Sequence, residues 1–224
     1  LLYVKNNRDE DYYFSALSYY YENYIIKYHP VDKVALKIYQ EFSKDLFAIG
    51  EIESYLEIAI NQASMLYMLG EFQEAYSLLD SLIQSSINLS PYQRMSILQT
   101  KATAASRLGK TEEAISLLEE SREYVDENDA EELFDIDFQK AIILIDTDLS
   151  SNLDKAAEIL DHLLERQEVN DELRATYLYN RALACKDSEK AIEYLQSALV
   201  LYERSTGHSI YYAKTINSIG QQYN

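Results

Sequence analysis

Cysteine, proline, glycine and tryptophan are scarce in this chain of 224 residues, which has 1 Cys, 2 Pro, 5 Gly and no Trp. The single Cys185 leaves no internal disulfide and no cysteine cluster for zinc. It fits a reducing compartment. A sandwich or barrel turns every ~8–12 residues and uses glycine and proline to do so. So little of either argues against an all-β fold. Neither G-x-G-x-x-G nor G-x-x-x-x-G-K-[ST] occurs, so the phosphate-cradling loops built on them are missing. Basic residues are also few, 20 Lys and Arg against 38 Asp and Glu, for a net charge of −18. No basic cluster of the kind a duplex needs is present, which excludes direct nucleic-acid contact by this segment. The longest apolar runs, such as Ala141 to Ile145, fall far short of the ~20 residues that cross a bilayer. His29, His162 and His208 are isolated, with no H-E-x-x-H and no G-x-S-x-G. The expectation is a helical, acidic, cytoplasmic protein that is not an enzyme, needs no cofactor or metal, and has no membrane partner.

What the chain does have is an internal repeat. Ala35, Ala75, Ala114, Ala156 and Ala191 each precede, by four residues, a Tyr or Leu: Tyr39, Leu79, Leu118, Leu160 and Leu195. Another large apolar residue stands just before each of these. The alanines are separated by 40, 39, 42 and 35 residues. A period near that length accommodates two helices of ~12–15 residues with their turns. A small side chain at a helix crossing lets the backbones approach, while the large residue one turn on fills the neighbouring hole. Ala63, Ala102 and Gly220 supply small positions on the first helices of pairs. No single pair can bury its apolar faces alone, so the pairs must stack.

Local signals place the helix ends. Gly70 and Gly109 follow apolar runs and suit the left-handed residue that ends a helix. Ser90-Pro91 reads as a cap with proline in the first turn. Thr111 is a plausible cap ahead of Glu112-Glu113, Asp32 can cap the helix after Pro30, and Asp171 and Ser188 open later helices. The reading is eleven helices, over 9–28, 31–48, 52–69, 72–88, 91–108, 111–125, 130–147, 152–167, 171–185, 188–204 and from 209 on. Residues 1–50 form a divergent N-terminal pair, and 51–224 carry the repeats, the last one truncated. Leu at position 1 and a helical pattern running into Asn224 lead us to expect a piece of a longer protein. The stripe Ile210, Ala213, Ile216 and Ile219 should then not be fully buried.

Ala63…Leu66…Gly70-Glu71-Phe72…Ala75…Leu79 and Ala102…Ala105…Gly109…Ala114…Leu118 resemble the tetratricopeptide repeat. Ile216-Asn217-Ser218-Ile219-Gly220-Gln221-Gln222-Tyr223 is similar to that family's first-helix signature. The resemblance covers residues 52–224 and implies an all-α fold, a right-handed superhelix of stacked helix hairpins. The intervals exceed the usual ~34 residues. The repeat-ending proline is missing, and Leu144 and Tyr179 occupy usually small sites. Degenerate, lengthened repeats of this kind are similar to the C-terminal peptide-sensing domains of the Gram-positive Rap, PlcR, NprR and Rgg regulators.

That resemblance implies a peptide or protein segment as partner, held on the concave face by first-helix side chains. Aligning first helices on their small positions puts Tyr20, Tyr24, Lys27, Asn61, Ser64 and Tyr67 at or near that face. The same alignment adds Gln99, Thr103, Arg107, Tyr177, Asn180 and Asn217. The peptide-binding set is Asn61, Ser64, Gln99, Thr103, Arg107, Asn180 and Asn217. Amide side chains carry both a donor and an acceptor and so can bind an extended backbone whatever its sequence. Tyrosine is enriched, 21 of 224, and Tyr12, Tyr13, Tyr19, Tyr20, Tyr21, Tyr24 and Tyr28 surround the first helix. One side faces the second helix; the other is left for a homodimer partner, a missing domain or the ligand, or, as the equal alternative, holds tyrosines that are simply half-buried. Glu119 to Asp137 holds ten acids and one base, Arg122, and reads as a solvated rim.

The function read from this pattern is noncatalytic peptide binding, in its narrow form the signal-peptide sensor of a quorum-sensing transcription regulator. The alternatives are a structural scaffold with no small ligand, and a Rap-like regulator of response-regulator phosphorylation.

Overall fold

A computed structural model describes residues 31–126, 129–166, 169–205 and 210–222. The expected first helix over 9–28, with Tyr20, Tyr24 and Lys27, lies outside the described residues, as do His29, His208 and Glu127. The chain divides into two compact units, Leu1–Lys110 and Thr111–Asn224. Among the described residues the fold is all-α, an array of helix hairpins with no strand.

Unit 1 contains α1 (Lys33–Ile49), α2 (Ile52–Met68), α3 (Phe72–Gln84) and α4 (Pro91–Arg107). Each helix packs on the next, and α2 also packs on α4. Ala59 and Ala63 of α2 join Leu79 and Leu82 of α3 and Ile97 of α4 in one core. Ala75, Leu66 and Ala104 form a second, and Tyr39, Phe42 and Leu46 seat α1 on α2. The helix ends are chemically specified. Asp32 caps α1 by accepting from the Ala35 amide at 2.8 Å. Ser90 and Gln93 form a reciprocal capping box on α4, with Pro91 in the first turn. Gly70 and Gly109 sit at φ 83° and 76°, the left-handed region that costs other residues dearly. The next amides, Glu71 and Lys110, then reach back to Leu66 and Ala105 carbonyls at 2.9 and 3.0 Å, closing the helix-ending turn.

α3 stops at Gln84, four residues before the expected 88. Ser85 has extended backbone, and its hydroxyl donates to the Leu82 carbonyl at 2.7 Å. Beyond it Ile87 and Leu89 are half-buried while Ser86, Asn88 and Ser90 are exposed. That period of two marks an extended segment, and it lays Ile87 and Leu89 on the α2–α3 core.

Unit 2 contains α5 (Thr111–Arg122), α6 (Ala130–Ile145), α7 (Ser150–Leu164), α8 (Asp171–Leu183), α9 (Ser188–Ser205) and α10 (Ile210–Gln222). Consecutive helices pack, and α6 also touches α8. Ala141, Leu144, Ala156, Leu160 and Tyr177 share one core; Ala175, Ala198 and Tyr202 share another. The repeat alanines Ala35, Ala75, Ala114, Ala156 and Ala191 are all fully buried. Several caps fall one residue before their expected places. Asn170 caps α8, accepting from the Leu173 amide at 2.9 Å. Asp187 accepts from the Glu189 and Lys190 amides at the start of α9. Asp171, Ser188 and Thr111 are the first helical residues. The α6–α7 turn uses Asp148 at φ 53° where unit 1 uses glycine.

α10 packs through Tyr212 and Ile219 and buries Thr215 and Ser218. Of the expected stripe, Ala213 and Ile216 are exposed and Ile219 is half-buried.

Candidate functional site

In unit 1 the nominated polar side chains lie on α2 and α4. Their location at the surface follows from the helix period, because Ala63, Ala102, Ala104 and Ala105 take the buried positions between them. Two of the five, Ser64 and Thr103, are bonded back to their own helix. The Ser64 hydroxyl donates to the Ile60 carbonyl at 3.2 Å, and Thr103 to the Gln99 carbonyl at 3.0 Å. Thr100 likewise donates to Ser96. Arg107 is exposed and donates through Nε to the Tyr67 hydroxyl at 3.0 Å, tying α4 to α2. Gln99 is half-buried. Asn61 is half-buried too, and no hydrogen bond among the described residues engages its amide.

In unit 2 Asn180 is half-buried on α8, and its Nδ2 donates to the Thr176 carbonyl at 2.8 Å. Its Oδ1 is left as an acceptor. Asn217 on α10 is exposed. Tyr177, expected near the groove, is instead wholly buried, its ring 5.0 Å from that of Phe138. Its hydroxyl is a buried oxygen without a well-formed hydrogen bond. Burial, then the negative charge of Asp135, hold that phenol above the usual tyrosine pKa, against the opposing pull of the nearby Arg166 guanidinium. Tyr202 is equally buried, but its hydroxyl meets Thr176 Oγ1 at 3.0 Å.

Charged pairs fasten neighbouring helices. Arg181 holds Asp161 through two bonds of 2.7 and 3.1 Å, and Arg122 holds Asp137 at 2.5 Å. Lys140 pairs with Glu119. Of the acidic stretch, Glu119, Glu120, Glu123, Asp126, Asp129 and Glu131 are exposed. Cys185 is half-buried, its thiol directed at the Asp187 carbonyl, and His162 is exposed. Among the described residues no His, Cys, Asp and Glu cluster suits a metal, and no helix is long and apolar enough to cross a membrane.

Unit 1 also has an open groove of about 490 Å³ that the sequence reading missed. Gln40, Ser43, Lys44 and Phe47 of α1 form one wall, and Leu78 of α3 the other. Tyr55 and Gln62 of α2 make the floor. Residues at 40, 43, 44 and 47 share one helix face, and 55 and 62 are two turns apart on another. The Phe47 and Tyr55 rings pack at 5.1 Å, yet Phe47 is 56% exposed. Asn61 and Gln62 are adjacent and so point about 100° apart around α2. The nominated face and the groove are therefore different surfaces of one helix.

No family model matches the chain, and no curated protein sequence does. Among solved structures it is similar to BtubC (BKLC) from P. vanneervenii, at 16% identity and a TM-score of 0.54. That match covers 84% of this chain and 78% of the other. It is also similar to YrrB, described as a TPR protein with an unusual peptide-binding site, at 17% identity and a TM-score of 0.49, over 86% of this chain and 95% of that one. At such identities the likeness to BtubC is one of fold.

Proposed function

We propose that the chain is a noncatalytic, peptide-binding helical-repeat domain. The observation that carries this reading is Asn61. A half-buried amide left without a partner among the described residues, on a helix face whose hydroxyls are already satisfied by their own backbone, is suited to a ligand backbone. Ser64, Gln99, Thr103 and Arg107 are the other polar positions nominated on α2 and α4, and Asn180 and Asn217 are the corresponding side chains in unit 2. An amide offers one donor and one acceptor to an extended peptide, the pairing that a neighbouring strand would supply. The narrower role, sensing a signal peptide for a Gram-positive transcription regulator, is supported by the resemblance of the lengthened repeats.

The test is calorimetric titration of the intact chain with peptides purified from the source cells. The expected result is saturable binding that weakens roughly 3- to 10-fold in Asn61→Ala or Asn180→Ala, the loss of one backbone hydrogen bond. The thermal midpoint should barely move. Equal binding by wild type and both variants removes these side chains from the site. Failure of every peptide to bind favours the scaffold.

A further inference from the structure

We infer that the groove between α1 and α3 is a recognition pocket for an extended protein segment bearing an acidic residue two positions from an aromatic one. The inference deepens the peptide-binding reading and rests on it, but assigns the ligand to a different surface.

Three observations carry it. First, the polar groups facing the groove are uncommitted. No hydrogen bond or ion pair among the described residues engages Gln40, Lys44 or Gln62. On the α2–α4 face, by contrast, Ser64, Thr103 and Arg107 are already bonded. Second, among the described residues Lys44 is the one charged residue lining the groove, in a chain of net charge −18. The groove thus offers a ligand an ammonium, and the complement of an ammonium is a carboxylate. Third, Phe47 is more exposed than buried and leans on Tyr55, which leaves aromatic surface open to a ligand ring.

Spacing fixes the ligand pattern. Lys44 and Phe47 are three residues apart on α1, about 4.5 Å along the axis. Alternate side chains of an extended segment stand about 6.6 Å apart on one face. The long, flexible lysine stem closes that difference. An Asp-x-Phe segment therefore meets Lys44 with its carboxylate and Phe47 and Tyr55 with its ring. Gln40 and Gln62 are left for its backbone.

The probes are two capped peptides, acetyl-Gly-Asp-Ser-Phe-Gly-amide and the same peptide with Lys in place of Asp. Each is titrated into the isotopically labelled intact chain, and backbone and glutamine side-chain amide resonances are followed. The expected result is movement of the Gln40, Lys44, Phe47, Tyr55 and Gln62 signals with the Asp peptide. That peptide should bind about two- to five-fold tighter than the Lys peptide, as a single exposed ion pair allows. Lys44→Glu should invert the order. Phe47→Ala, at a largely exposed position, should weaken the Asp peptide about tenfold with the fold intact. A preference for the Lys peptide in the wild type would mean that overall charge governs binding, and overturns the inference. Shifts confined to Asn61, Ser64, Gln99 and Thr103 also overturn it while supporting the peptide-binding reading. No shift with either peptide overturns the groove assignment and leaves the titration with cellular peptides to judge the broader reading.

Discussion

Lys101 of α4 donates a 2.5 Å hydrogen bond to Asp80 of α3 while only 7% of the lysine is exposed to water. Its ammonium also lies 4.8 Å from the centre of the Tyr76 ring. Burial lowers the lysine's pKa, but the Asp80 bond and the Asp80 and Tyr76 charges outweigh it, so the value stands above that of a free lysine. The charge is therefore kept, and a partner is obligatory.

Asp80→Ala should destabilise the chain by about 1–3 kcal/mol at neutral pH, since it strands a buried ammonium. A raised lysine pKa contributes stability below the unfolded value of about 10.4, and that stability is lost as pH rises through the folded value. The wild-type advantage over Asp80→Ala should thus shrink as the pH is raised from neutral to beyond the unfolded lysine value of about 10.4. Urea denaturation at both pH values measures this, and a variant as stable as wild type at neutral pH would show that the pair is not needed.

Tyr177→Phe tests the opposite case. The hydroxyl is buried without a well-formed bond, so its removal should leave stability unchanged or raise it by up to about 1–2 kcal/mol. Tyr202→Phe serves as the contrast, because it deletes the bond to Thr176. Thermal melts of the two variants should move in different directions. A clear loss from Tyr177→Phe would mean that the Arg166 guanidinium or another group holds the hydroxyl.

Ala156→Leu should cost about 1–3 kcal/mol through overpacking. Ala156 is wholly buried among Ala141, Leu144, Leu160 and Tyr177. Differential scanning calorimetry reads the drop, and an unchanged midpoint would show that this crossing has spare room.

Asp148→Gly should stabilise. Asp148 holds φ 53° without the freedom of glycine, and a left-handed residue with a Cβ costs roughly 1–2 kcal/mol, less for aspartate. The unfolded chain gains entropy from glycine, which offsets part of the benefit. The expected net gain is a few tenths to about 1 kcal/mol, seen as a higher chemical-denaturation midpoint. A lower midpoint would reveal a role for the carboxylate in the turn.

The helical class, the hairpin period and the buried alanines were legible in the sequence because each is a local or periodic property. An alanine recurring one turn before a large apolar residue marks a repeated small position, and Ser90-Pro91 starts a helix and Leu69-Gly70 ends one through local backbone chemistry. The early end of α3 was legible in principle, in the alternation of Ile87 and Leu89 with polar neighbours, but a helical period was read through it. The partners of polar side chains were not legible. Spacing marks Ser64, Thr103 and Asn180 as surface residues, yet only the folded chain shows their groups turned back onto their own helices. The same holds for the groove, whose walls come from α1 and α3 and whose floor comes from α2. Sequence periodicity determines which face of one helix is polar. How three helices spread to leave a gap, and which side chains are left uncommitted in it, is decided by packing between residues far apart in the chain.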